Sequence, residues 1–217
     1  MVSHLKLDII SDISCPWCVI GYKSLEQALN QLSKHIDYTI SWQPFELNPN
    51  MPSEGQDLHQ HLQEKYGSTF EQIDENHRVI TERGAELGFH FNIQDIGRIY
   101  NTFDAHRLLH WARQEGKQTD LKQALFALYF TEQGNPSDHS DLIKCIDKVG
   151  LPIEQAKEIL ASDLYADTVR ERENHFRSLG VNAVPTFIIN EKYSIVGGHP
   201  AETFLKALEE IALEGTL

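Results

Sequence analysis

Cys15 and Cys18 stand three residues apart in Asp-Ile-Ser-Cys-Pro-Trp-Cys-Val-Ile-Gly, residues 12–21. Two sulfurs at this spacing can close a disulfide reversibly, and the thiolate is the form that attacks. Cys15 precedes Pro16, a residue suited to the first position of a helix. The unpaired N–H groups and positive dipole end of that helix would stabilise a Cys15 thiolate. Helical side chains three apart sit roughly 5–6 Å from each other at Cβ, against about 3.5–4.5 Å in a disulfide. The non-helical geometry of a helix cap can close that gap, so Cys18 could attack a mixed disulfide on Cys15 and resolve it. Cys15 is expected to be the more exposed of the two. The competing use of C-x-x-C is half of a zinc site. A structural zinc needs four ligands, and the sequence offers no second C-x-x-C or matching Cys/His pair. Redox chemistry is the stronger reading.

Other residues divide between chemistry and structure. Asp12, immediately before the cysteine turn, can cap that turn or relay protons to the resolving thiol, and capping is the commoner task. Trp17 can present an aromatic surface to substrates or pack against the middle of the chain. Cys145 lies among Leu142, Ile143, Ile146 and Val149 and reads as a small buried hydrophobe. His106 and His110 are four apart, and His59 and His61 form another close pair. Among 11 histidines with no H-E-x-x-H pattern, neither pair makes a metal site, and none is expected. His199, beside Gly197-Gly198, could line a cleft.

The elements that must position the cysteines follow from hydrophobic period. Residues 5–12 alternate as a strand, residues 16–33 carry a helical pattern, and residues 36–42 alternate again. The cysteine pair therefore lies where a strand turns into a helix. After a loop with Pro44, Pro49 and Pro52, residues 56–180 show no convincing strand. Helices are predicted over 56–66, 69–87, 97–115, 119–133, 138–149, 153–161 and 164–178, with residues 89–93 ambiguous between strand and loop. Strand character returns over 186–189 and 192–196, and a helix closes the chain over 201–213. Neither β-containing end can bury a sheet alone. The two ends are therefore expected to share one sheet, an α/β domain of residues 1–54 and 166–217 with residues 55–165 as a helical insertion.

The 217 residues can bury a sizeable core without staples. The formal net charge of −13 argues against nucleic acid as a partner. No stretch approaches the roughly 18 apolar residues of a membrane helix. Lys6, Asp8 and Asp12 interrupt any secretory apolar run near the start, so the expected setting is the cytoplasm, with no membrane partner.

Two motifs taken together, Cys-Pro-Trp-Cys at 15–18 and Val-Pro-Thr-Phe at 184–187, resemble the DsbA-like branch of the thioredoxin superfamily, in particular the FrnE-type dithiol–disulfide oxidoreductases. The loop Gln43-Pro-Phe-Glu-Leu-Asn-Pro and the segment Asn101-Thr-Phe-Asp-Ala-His are also similar to that family's pattern. The resemblance covers nearly the whole chain in order. It implies a thioredoxin-like fold with a large inserted α-helical domain, and a cis Val184–Pro185 bond. That bond would leave the Val184 backbone free to pair with an extended substrate; the plainer reading of Pro185 is a proline opening a strand. His106 gains a place in the cleft from the same resemblance. Trp17 stands where DsbA itself carries His, so the electrostatic help of an imidazolium is missing.

The reading that results is a thiol–disulfide oxidoreductase or isomerase acting on protein or small-molecule thiols and disulfides. Cys15 and Cys18 are catalytic, while Trp17, Val184, Pro185 and His106 bind substrate. No cofactor is expected beyond the redox-active pair, with glutathione as a conceivable reductant. Kappa-class glutathione transferases and hydroxychromene-carboxylate isomerases share the implied architecture but carry Ser at the first cysteine position, which gives a second reading. A non-catalytic peptide-binding module is the third.

Overall fold

The structure is a computed structural model and describes residues 3–33 and 36–214. Strand β1 (Ser3–Ser11) leads into α1 (Pro16–Leu32) and the chain returns as β2 (Ile36–Pro44). A two-residue strand β3 (Gln56–Asp57) then opens a run of helices, α2 (Leu58–Tyr66) and α3 (Phe70–Glu86). A 3-10 turn at Ile93–Asp95 leads to β4 (Arg98–Ile99). Four helices follow: α4 (Phe103–Gln114), α5 (Gln118–Phe130), α6 (His139–Lys148) and α7 (Ile153–Leu160). The last part is α8 (Ala166–Ser178), β5 (Thr186–Ile189), β6 (Tyr193–Val196) and α9 (Ala201–Glu214). No helix among the described residues is long and apolar enough to cross a membrane.

The two ends of the chain share one sheet in the order β2-β1-β5-β6. β1 and β2 are parallel, and the crossover such a pair requires is α1. β5 runs antiparallel to β1, with Ile9 opposite Phe187. Leu5, Leu7 and Ile9 alternate along β1 into a core that continues through Ile20 and Leu25 of α1 and Leu208 of α9. Ile10 joins Phe45 and Phe176 in a separate cluster that seats α8. The same main core reaches Leu108 of α4 and Leu125 of α5, so helices and sheet bury one another. This is the expected α/β architecture, a thioredoxin-like sheet with a large helical insertion.

β2 is an edge strand, and exposed edges invite unwanted pairing. Gln118, at the start of α5, covers it at one residue: its Oε1 accepts from Trp42 N at 2.9 Å and its Nε2 donates to Trp42 O at 2.9 Å. The amide side chain thus stands in for a strand, and Thr119 takes the indole N–H of Trp42 at 3.1 Å.

The middle of the chain departs from expectation at two places. It contains strand pairing, Gln56 with Ile99 and Asp57 with Arg98, and the helix expected over 97–115 starts only at Phe103. Arg98 holds this ribbon by donating to the carbonyls of Glu54 and Gly55, both at 2.9 Å, and Tyr129 donates to the Arg98 carbonyl at 3.0 Å. Asn101 then accepts from Phe103 N at 2.8 Å and fixes the start of α4. Residues 89–93 form no strand; Phe91 packs into the core and Ile93 begins the 3-10 turn. In the last hairpin Asn190 and Glu191 are both left-handed, φ 52 and 57, which makes the tight turn that sets the β5–β6 register.

Gly55 is left-handed, φ +70, and a Cβ there would lie 2.2 Å from the Ile99 carbonyl oxygen. Gly55→Ala is therefore expected to lower unfolding free energy by about 2 kcal/mol, from left-handed strain plus the clash with backbone. Urea denaturation of the variant beside wild type checks this.

Candidate active site

Cys15 is the N-cap of α1, with extended backbone (φ −98, ψ 108) and Pro16 directly after it. Its side chain makes no cap hydrogen bond, which leaves the sulfur free to face outward from the helix end. Cys18 N donates to Cys15 O at 3.1 Å, so the second cysteine lies one tight turn inside. Both thiols are free and buried, Cys15 4 % exposed and Cys18 0 %. The expected difference in exposure is thus one of access: Cys15 lines a cleft and Cys18 lies behind it. Burial, reinforced by hydrogen bonding and charge at Cys15, pushes the Cys18 thiol well above its ordinary range.

The Val184–Pro185 bond is cis. The Cys15 thiol donates to the Val184 carbonyl at 3.7 Å, so the two separated motifs meet at the sulfur. Gly21 on α1 permits this approach. A Cβ at position 21 would lie 2.9 Å from the Phe187 ring and 3.1 Å from Cγ of Pro185. Trp17 is half-buried in the cleft wall, and the Arg83 guanidinium of α3 sits 5.3 Å from its ring centre. Trp17 thus packs on the helical insertion while one side of it faces the cleft.

The cleft is a cavity of ≈ 380 Å³ that opens beside Cys15, Trp17 and Val184. Its floor and walls are Leu58, Leu62, Ile73, Ile80, Ile93, Ile96, Ile99 and Phe130, with Tyr66 at the rim. The β3–β4 ribbon and the α2–α3 pair, which position most of these groups, come from the insertion.

His106 does not line this cleft. It is buried behind the cysteine turn, with Nε2 3.6 Å from Asp12 Oδ1, because α4 packs against the side of that turn remote from the cleft. His199 lies outside as well, 2.9 Å from the Val196 carbonyl. His61 contacts Gln56 at 2.9 Å, His59 packs on Phe70, and His110 packs on Tyr165. Among the described residues, no cluster of three or more metal-ligating side chains occurs. Cys145 is buried, with its thiol donating to the Ala124 carbonyl at 3.8 Å and pushed up to about 11 by burial.

Asp12 is fully buried and works as the cap of the cysteine turn. Its carboxylate accepts from Ser14 N at 3.4 Å, Ser14 Oγ at 3.0 Å and Leu47 N at 2.7 Å. Burial alone would raise this carboxyl. His106, the Leu47 N–H and Thr102 outweigh burial and hold it at about 2 against an ordinary 3.8.

Sequence reading missed Lys122. It occupies α5 inside the apolar run Leu121–Phe130 and is 1 % exposed, with no carboxylate partner among the described residues. Its ammonium lies 4.9 Å from the Phe126 ring centre and 5.3 Å from that of Trp42. Burial pulls it down to about 8, opposed by the charges of Cys18, Asp12 and Cys15. A lysine where a core residue is due is the one signal the sequence carried.

Two expectations follow from these buried charges. Because folding lowers the Asp12 value from 3.8 to about 2, its charged form contributes stability above pH 3.8 that is lost as pH falls through about 2. The contribution is about 2 kcal/mol, and Asp12→Asn should remove that acid dependence in urea titrations across the range. Lys122 has the opposite effect. Its ordinary value of 10.5 falls to about 8, so the protonated form costs stability below about 8 and nothing above 10.5. Lys122→Met should raise neutral-pH stability by about 1–3 kcal/mol and slow any reaction that needs the Cys18 thiolate. Thermal unfolding and alkylation of Cys18 in a Cys15→Ser background measure the two effects.

A model of the DSBA-like thioredoxin domain family matches residues 6–209. The probable DsbA oxidoreductase of Streptomyces coelicolor, known as a crystal structure, is 31% identical, with TM-score 0.89 over 97% of this chain and 91% of that one. The uncharacterized protein YwbO of Bacillus subtilis (strain 168) is 27% identical over 211 residues, 97% of this chain and 98% of YwbO. The cytosolic disulfide reductase DsbM of Pseudomonas aeruginosa, solved with GSH, shares the fold at 14% identity and TM-score 0.64, over 94% of this chain and 98% of that one. The match begins in β1, passes through the cysteine turn and the cis-proline segment, and ends in α9: the chain belongs to the DSBA-like thioredoxin domain family.

Proposed function

We propose that this protein is a thiol–disulfide oxidoreductase in which Cys15 attacks and Cys18 resolves. The observation that carries the reading is the position of the Cys15 sulfur, at the end of α1, in the cleft wall and 3.7 Å from the Val184 carbonyl. The similarity to an oxidoreductase at 31% identity supports it. In the reductive direction the Cys15 thiol first loses its proton to solvent. The thiolate attacks one sulfur of a substrate disulfide. A Cys15–substrate disulfide forms, the substrate S–S bond breaks, and the leaving thiolate takes up a proton. Cys18, as its thiolate, then attacks the Cys15 sulfur and releases the second substrate thiol. Two electrons pass to the substrate and the pair is left as a disulfide, which an external thiol reduces again. With a dithiol substrate the same steps run backwards as oxidation. A cytoplasmic setting, with its reduced thiol pool, would supply the external thiol. Trp17, Val184 and Pro185 form the surface that the substrate meets.

The two cysteines should fail differently. Cys15→Ser should abolish exchange, since a hydroxyl forms no mixed disulfide. Cys18→Ser should permit the first attack and remove the escape, so covalent complexes accumulate. Non-reducing electrophoresis and mass spectrometry after incubation with an insulin-type disulfide read both. Complexes that accumulate in the Cys15 variant instead would reverse the assignment.

A further inference from the structure

We infer that the cleft beside Cys15 takes an uncharged, largely apolar small disulfide, and that His77 positions it; this rests on the redox role proposed for Cys15. No Lys, Arg, Asp or Glu lines the cavity. The cations of α2, α3 and β4 are already engaged. Lys65 donates to Leu47 O and Asn48 Oδ1, both at 2.7 Å, and Arg78 pairs with Glu75 and Glu82. Arg83 lies against Trp17 and donates to Gly198 O at 3.0 Å. Arg98 donates to Glu54 O and Gly55 O. A substrate carrying carboxylates, such as glutathione disulfide, would bring charge into a mostly apolar cavity whose polar side chains, Asn48, Ser68, Gln72 and Asn76 among them, are all neutral, so the charge would find no cation to pair with, which is costly.

At ≈ 380 Å³ the cavity is of the size that holds a small organic molecule. His77 lines it and is 3 % exposed, and its Nδ1 is shut off from solvent with no hydrogen-bond partner. A buried polar atom left unpaired is destabilising, so a ligand that supplies one polar atom to the ring, turned towards the cavity, gains what the free protein lacks. Burial, and the neighbouring His59, favour the neutral imidazole, which can donate or accept. The predicted ligand is therefore neutral and apolar over most of its surface, with one polar atom for His77 and its S–S bond at the cleft mouth. Reduction follows the balance given above. The ligand R–S–S–R gains two electrons and two protons to give two RSH, while Cys15 and Cys18 become a disulfide. Dithiothreitol then reduces the pair and becomes its own cyclic disulfide.

Two measurements on the full chain test this. The first compares turnover of dithiodipyridine, dithiobis(nitrobenzoate) and glutathione disulfide, each rate divided by the rate of dithiothreitol alone with the same disulfide. The buffer is alkaline enough to leave the pyridines uncharged. The neutral disulfide should lead the two carboxylated ones by about tenfold or more, as an unpaired charge entering the cleft costs at least that much. The second uses calorimetry on Cys15→Ser, which cannot exchange, with dipyridylethane and with bibenzyl dicarboxylate, in which carbon replaces sulfur. Dipyridylethane should bind more tightly, His77→Leu in that background should weaken it about fivefold, and His77→Gln should restore part of the loss. Equal or reversed preference in both measurements would overturn the proposal and leave the redox reading standing. Binding with the expected preference, together with no turnover of any disulfide, would uphold the cleft assignment and sink the redox reading.

Discussion

The Asp12 carboxylate is the interaction on which the site depends. It is buried and ionised, a state that persists only where several groups compensate the lost hydration. The compensating groups come from three separate segments. Ser14 belongs to the cysteine turn, Leu47 to the loop after β2, and Thr102 and His106 to the N-cap and first turn of α4. Satisfying one charge therefore fixes where the turn, the loop and the insertion lie relative to each other. Asp12 O also accepts from Cys15 N at 3.4 Å, so this residue's backbone holds the cysteine directly.

The loop after β2 is tied on its far side too. Glu46 N donates to Glu173 Oε1 at 2.9 Å, and Arg170 of α8 pairs with the carboxylates of both Glu46 and Glu173. Glu46 is almost wholly buried and pushed up to about 7, by burial first and by Glu173 next, with Arg170 opposing. The loop is thus clamped between α8 and the cysteine turn. Its next residues, Leu47 and Asn48, form cleft wall, so rigidity in one place becomes shape in another.

What was legible in the sequence was local. Pro16 after Cys15 marks a helix start because proline tolerates only that helical position well. Residues 186–189 read as a strand because β-branched and apolar residues run together there. What escaped was set by partners distant in the chain. Gln56 and Ile99 pair across 43 positions, and neither flank has the length or alternation that a strand pattern needs. Resemblance places His106 in the cleft, yet a segment's similarity does not say which side of a turn its helix will cover. His77 fell within a helical pattern, and only the fold shows that it lines a cavity and that its enclosed Nδ1 is unpaired. Lys122 was visible as a charge among apolar residues, but its neighbours Trp42 and Cys18 come from elements more than 70 residues away.

These constraints give the two thiols separate environments although only two residues stand between them. Cys18 is enclosed, its thiolate disfavoured by burial, with Lys122 as the nearby positive charge that offsets part of this. Cys15 meets the cleft and spends its proton on the Val184 carbonyl. In the proposed reaction, loss of that proton creates the nucleophile and removes the donor from Val184 in one event. A carbonyl without its donor is then free to accept from a substrate lying along it, since backbone acceptors away from water demand a partner. The substrate that would be held at Val184 is thus presented to the sulfur that has just become reactive.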